Sequence, residues 1–249
     1  MFWANRTDKV AGTLLLLLAV LSIAGFVGGT PLGEVDPFAR TDVEQMLRTI
    51  HDHFGLWVSS LVPFVVQDVL IVATAALLYI AFRDRSRALA LVAAFASLGG
   101  SVALMLHEVG AMTLAFLSAD AVGQAGTVVA DPMILATARA VAVGQALSAL
   151  VGQTLLGVGV LCIGTLIAWA PEGRANPPRW LGFLGLMAGL GMIATWSFLT
   201  NHLVGGGVTL LAETGLVVMF AVLGVWFLRR PDELRTLEVE TMAAQQGGT

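Results

Sequence analysis

Eight residues of this chain have types and placings that support chemistry: the histidines His51, His53, His107 and His202, and the polar groups Asp68, Glu108, Gln153 and Glu213. In the stretch SVALMLHEVGAMTLAF, residues 101–116, His107 and Glu108 stand side by side in an apolar run. Four readings compete. Imidazole and carboxylate together suit zinc, copper or iron, and a metal-bound water would serve as a hydrolytic nucleophile. His51-Asp52-His53 with His107, His202 and an acid supplies enough ligands for this, although no H-E-x-x-H or other spaced ligand motif is present. A single b-type haem with His107 and His202 as axial ligands is the second reading. Two haems on four helix-borne histidines are excluded, because His51 and His53 precede the second apolar span. The third is a ligand- or proton-linked site built on Asp68, Glu108, Gln153 and Glu213. The fourth is a purely structural polar layer, hydrogen-bonded to itself and to water, that sets helix register.

The elements that must position these residues are membrane helices. The chain has 249 residues, 57% hydrophobic and 12% charged, far above the roughly 45–50% apolar usage of soluble domains. Several apolar runs reach the roughly 20 residues that a helix needs to cross about 30 Å of hydrocarbon. Six spans are expected at about 10–29, 57–82, 88–117, 132–169, 180–203 and 207–228. They form one all-α membrane domain through residue 230, followed by a polar tail at 231–249. SIAG after the first leucine run resembles a signal cleavage site, but the span is read as a retained helix. Lys9, Arg83, Arg85, Arg87, Arg179, Arg229 and their neighbours fall on one side, which the positive-inside rule assigns to the cytoplasm, with both termini. Glu34, Asp36, Asp42, Glu44, Asp52, Asp120 and Asp131 fall on the other.

Between the first two spans, Val43, Met46, Leu47, Ile50, Phe54 and Trp57 recur at helical spacing, and Thr41 followed by Glu44 fits a capping box. A short amphipathic helix on the outer interface is expected there. Asp131-Pro132 reads as the N-cap and first residue of the fourth span. Gly99, Gly100, Gly182, Gly185, Gly189 and Gly191 permit close helix approach. The lone Cys162 rules out an intrachain disulfide and reads as a small core residue.

Depth along the spans follows from the rise of about 1.5 Å per residue. Asp68, Gln153 and Glu213 each lie about 15–16 residues before the basic or aromatic end of their helix. His107 and His202, counted from Arg87 and Arg179, reach the outer half. These counts place the layer outward and admit an internal repeat of three helical hairpins. Acidic groups facing lipid cost on the order of 2.5–3.5 kcal/mol each on insertion scales, so they are expected to face the interior. His107 and Glu108 diverge by about 100° around their helix and cannot both point the same way.

No nucleotide-binding loop, nucleophile elbow or basic patch is present, and the net charge is -4, so nucleic acid is not an expected partner. The expected partners are the lipid bilayer and other membrane subunits or further copies of the chain. The segments NRTDKVAGTLLLLLAVLSIAGF, FGLWVSSLVPFVVQDVLIVATAALLYIAFRDRSRALALVAAF, WLGFLGLMAGLGMIATWSFL and LLAETGLVVMFAVLGVWFLRR resemble the bacterial six-span family catalogued as domain of unknown function 4386. The resemblance implies six helices with both ends inside the bacterial cytoplasmic membrane, and no settled activity. The His-Asp-His loop and the His107-Glu108 pair are not part of that family pattern. The reading that results is an integral membrane protein with an outward buried polar layer, ligand- or proton-linked or accessory to a larger complex. A metal-dependent membrane enzyme and a haem protein stand as alternatives.

Overall fold

The computed structural model describes residues 2–29, 42–122, 131–171, 176–194 and 202–229, without the side chains of 2–6, 26–29 and 202–206. They form seven helices: α1 (Phe2–Gly29), α2 (Val43–Asp52), α3 (Phe54–Phe82), α4 (Arg87–Ala121), α5 (Pro132–Ala168), α6 (Arg179–Ala194) and α7 (His202–Arg229). Thr7–Gly25 of α1, the whole of α3, α4 and α5, and Gly207–Arg229 of α7 are long and apolar enough to cross a membrane. The described part of α6 has 16 residues, about 24 Å of rise. Most of the rest of its expected span, 195–201, lies outside the described residues, as do the polar tail, Glu34, Asp36 and Arg40. His202, expected to end the fifth span, instead opens α7.

Helix ends follow from local chemistry. Asp42 caps α2, its carboxylate accepting from Glu44 N at 3.1 Å; this replaces the expected box on Thr41, which lies outside the described residues. A break at His53 separates α2 from α3, so Phe54 and Trp57 belong to α3 and not to the amphipathic helix. Ser86 caps α4 through Leu89 N, and Asp131 caps α5 through Met133 N at 2.8 Å, with Pro132 in the first turn as expected.

The six long helices stand in chain order around a ring. Each of α1, α3, α4, α5, α6 and α7 packs chiefly on its neighbours in that order, and α1 against α7 closes the circle. Neighbours run antiparallel: Gly12 meets Gly224, Ser97 meets Gly159, and Gly157 meets Gly189. At the α5–α6 seam the backbones touch. A Cβ on Gly164 would lie 2.8 Å from Gly182 O, and one on Gly189 would lie 2.6 Å from Gly157 O. Two glycines seven residues apart on each helix thus face each other, as close membrane packing requires. Gly100 against Gly152 does the same for α4 and α5.

Outward faces stay apolar: Val20, Val62, Phe95, Val109, Phe116 and Leu211 are all exposed, as a hydrocarbon solvent favours. At one end of the ring α2 lies across α4 and α5, burying Met46, Leu47 and Ile50 among Leu114, Ala115, Ala138 and Ala142. At the other end the Arg85 guanidinium donates to Leu166 O at 3.3 Å and to Asn176 Oδ1, and lies 4.9 Å from the Phe82 ring centre. That ties the α3–α4 turn to the end of α5. Cys162 is half-buried and packs against the core.

Candidate functional site

Side chains on a helix lean toward its N-terminus. Because α3 and α4 run antiparallel, Asp68 on α3 and Glu108 on α4 lean toward each other. Asp68 is 3% exposed and Glu108 8%. Ser101 fixes the register of the two helices by donating its hydroxyl to Asp68 O at 2.5 Å. Asp68 Oδ2 and Glu108 Oε2 are buried and have no hydrogen-bond partner in the protein.

His107 turns away from the α3 side, as the 100° divergence requires, and still touches the pair. Its Nδ1 lies 3.1 Å from Gln145 O on α5. A carbonyl only accepts, so Nδ1 carries the hydrogen. Nε2, 4.0 Å from Glu108 Oε1, is the nitrogen available to give or take a proton.

The interior of the ring holds a cavity of about 40 Å³. Helix α3 lines it with Ile71, Thr74, Ala75 and Leu78, which lie three, six, seven and ten residues after Asp68. The same four steps counted from Gln153 on α5 and from Glu213 on α7 name the residues those helices contribute. The three polar groups therefore sit on cavity-facing stripes, each about one turn beyond the chamber. Sequence counting had matched their depth; the structure adds the common face. Glu213 and Gln153 are half-buried.

Thr74 is 3% exposed, and its hydroxyl, like Gln67 Oε1, is buried with no partner in the protein. Ser97 of α4 lines both this cavity and a second of about 10 Å³ that also reaches Tyr79. Gln67, Thr74, Ser97 and Ser101 were not singled out from the sequence. The signal was there: Gln67 and Thr74 are seven residues apart, and Ser97, Ser101 and Glu108 are four and seven apart, spacings that return to one helix face.

His51 and His53 do not gather at this site. His53 is exposed with Nδ1 at 3.1 Å from Thr49 O, His51 is half-buried on α2, and the side chain of His202 lies outside the described residues. Among the described residues no group of three or more His, Cys, Asp or Glu is placed to hold a metal ion.

Membrane-crossing apolar helices around a buried carboxyl pair define a multi-pass integral membrane protein of the all-helical class. Residues 10–230 match the family described as Domain of unknown function (DUF4386), and the chain belongs to that family. No curated protein and no solved structure matches it.

Proposed function

We propose that this is a proton-linked membrane protein whose working group is the Asp68–Glu108 pair. One observation carries the reading: two buried carboxyls on neighbouring, packed helices each present an oxygen that no protein group satisfies. In a desolvated interior a carboxylate without a counter-charge is costly, and two on packed neighbouring helices conflict further. A proton held by the pair removes the conflict, and His107 Nε2 beside Glu108 is placed to deliver or receive it. An exchangeable proton is thus the least costly occupant, and its gain and loss give the protein two charge states.

Positive charge sets the orientation we propose. Lys9, Arg83, Arg85, Arg87, Arg179 and Arg229 lie at one side of a six-span bundle, and reading that side as cytoplasmic places α2 and the pair toward the outside of a bacterial inner membrane. The shared steps from Asp68, Gln153 and Glu213 to the cavity support reading the bundle as three variants of one hairpin.

Difference infrared spectroscopy of the reconstituted protein across a pH titration tests the carboxyl reading. A protonated-carboxyl C=O band that appears with acid and is altered in both Asp68→Asn and Glu108→Gln is the expected result. Superimposable spectra in the parent and both variants would sink it.

A further inference from the structure

Four buried polar atoms without a protein partner lie on two neighbouring helices: Glu108 Oε2 on α4, and Gln67 Oε1, Asp68 Oδ2 and Thr74 Oγ1 on α3. Shielded from bulk water, an unsatisfied polar group is costly, so four of them on two packed helices call for a polar occupant. The chamber lined by Thr74 offers the room. A water needs about 10–15 Å³ of such space and two to four polar partners. The axial cavity, about 40 Å³, has room for more than one water, with Thr74 and Ser97 as its polar side chains, and the adjoining cavity, about 10 Å³ and near the lower limit for one, has Ser97 and Tyr79. The two share Ala75, Leu78, Ser97 and Ile163 as walls, so a water in one is next to a water in the other. Gly159 keeps the junction open: a Cβ there would lie 2.6 Å from Ser97 Oγ.

We infer that α3 and α4 hold a water-filled proton path, leading from the Asp68–Glu108 pair past Gln67 and Thr74 into the axial chamber and through Ser97 to Tyr79. Asp68 to Thr74 is about 9 Å along α3, Thr74 to Tyr79 about 7.5 Å, and Tyr79 to Arg83 at the helix end about 6 Å. Hydrogen-bonded oxygens stand about 2.8 Å apart, so each gap takes a short chain of waters. A proton leaving Asp68 Oδ2 passes to the nearest water, which gives a different proton to the next oxygen. Every hydroxyl and water on the route ends neutral, the carboxylate is left charged, and the last water releases one proton to the aqueous phase at the Arg83 end. Among the described residues of the helices packed on α3, the other titratable groups lie near helix ends: Asp8 and Lys9 on α1, Arg87 and Asp120 on α4, and Glu44, Arg48, His51 and Asp52 on α2. His107 faces the pair from α4 itself, and Glu213 approaches the chamber's end from α7.

This inference rests on the proton-linked reading, and its test separates the two. Full-length protein in liposomes is moved from H2O to D2O, and the hydrogen–deuterium exchange of the carboxyl band is timed by infrared absorption. The path predicts exchange in the parent far faster than that of core backbone amides, slowed about ten-fold in Thr74→Val and kept in Thr74→Ser, which restores the hydroxyl. Tyr79→Phe, at the far end of the route, is expected to slow it as well and provides the reading if Thr74→Val does not fold. Parent-like exchange in every folded variant lacking its hydroxyl overturns the path while the carboxyl pair stands. Absence of any carboxyl band in the parent overturns both.

Discussion

Replacing Gly182 by alanine tests the ring at its tightest seam. The added Cβ would lie 2.3 Å from Ala168 N, 2.6 Å from Ala168 Cα and 2.7 Å from Gly164 O, all backbone atoms that cannot swing aside. Ordinary contact begins near 3.4 Å, so α5 and α6 must separate by about 1 Å. A radial gap of roughly 0.5–1 Å forfeits a quarter to a half of each dispersion contact along the interface, and overpacking of this kind typically costs about 1–3 kcal/mol. We expect a loss of about 2–3 kcal/mol, at the upper end because backbone stands on both sides of the clash. Gly144→Ala is the matched control: it is helical, exposed, and has nothing within 4 Å of the added atom. There the better helix propensity of alanine leaves stability unchanged or raised by up to about 1 kcal/mol. Equilibrium unfolding of the micelle-bound protein in increasing SDS, followed by circular dichroism, measures both. Equal midpoints for the two variants would refute the argument that backbone contact at Gly182 holds α6 in place.

Two further expectations concern the α2 end of the bundle. Trp57→Phe removes the indole N–H donated to Ala111 O at 3.0 Å; a loss of about 0.5–1.5 kcal/mol is expected in the same unfolding assay, with the carboxyl infrared band unchanged. Leu47→Ala empties a fully buried position, costing about 2–5 kcal/mol at the site. Hydrogen exchange read by mass spectrometry should then accelerate in peptides covering α2 and leave α6–α7 peptides unaffected.

Hydropathy made the spans legible because each is bounded by charge, proline or glycine, and Arg83 to Arg87 or Asp131-Pro132 mark their breaks without any need for periodicity. Azimuth was hidden for a physical reason. In a soluble helix the apolar stripe points to the core, but here Val69 faces outward while Ile71 faces the cavity, and both are apolar. Only polar residues carry directional information in such a helix. Asp68 and Glu108 were therefore recognisable as interior groups on cost alone, whereas their mutual approach depends on the register that Ser101 sets with Asp68 O. Residue type likewise gives the histidines no placement: His51 and His53 lie on or just after α2, whose soluble-type periodicity is legible, while His107 lies deep in α4. The cap of α2 moved by one residue because Asp42 and Thr41 are both competent caps, and sequence spacing favours the box.

The order of helices around the ring also bears on how the protein is made. The carboxyl pair needs only α3 and α4, which follow one another directly, so those acids can shelter from lipid as soon as the two helices have paired. The chamber is different: α7 supplies part of its wall and, by meeting α1, closes the circle. Until α7 arrives, α1 lacks one of its two partners and the stripe leading inward from Asp68 lies open to the membrane. Helix α7 is thus the element that completes the ring, and without it the acids would still be paired between α3 and α4 while the chamber lacked the wall of Leu216, Met219, Phe220 and Leu223.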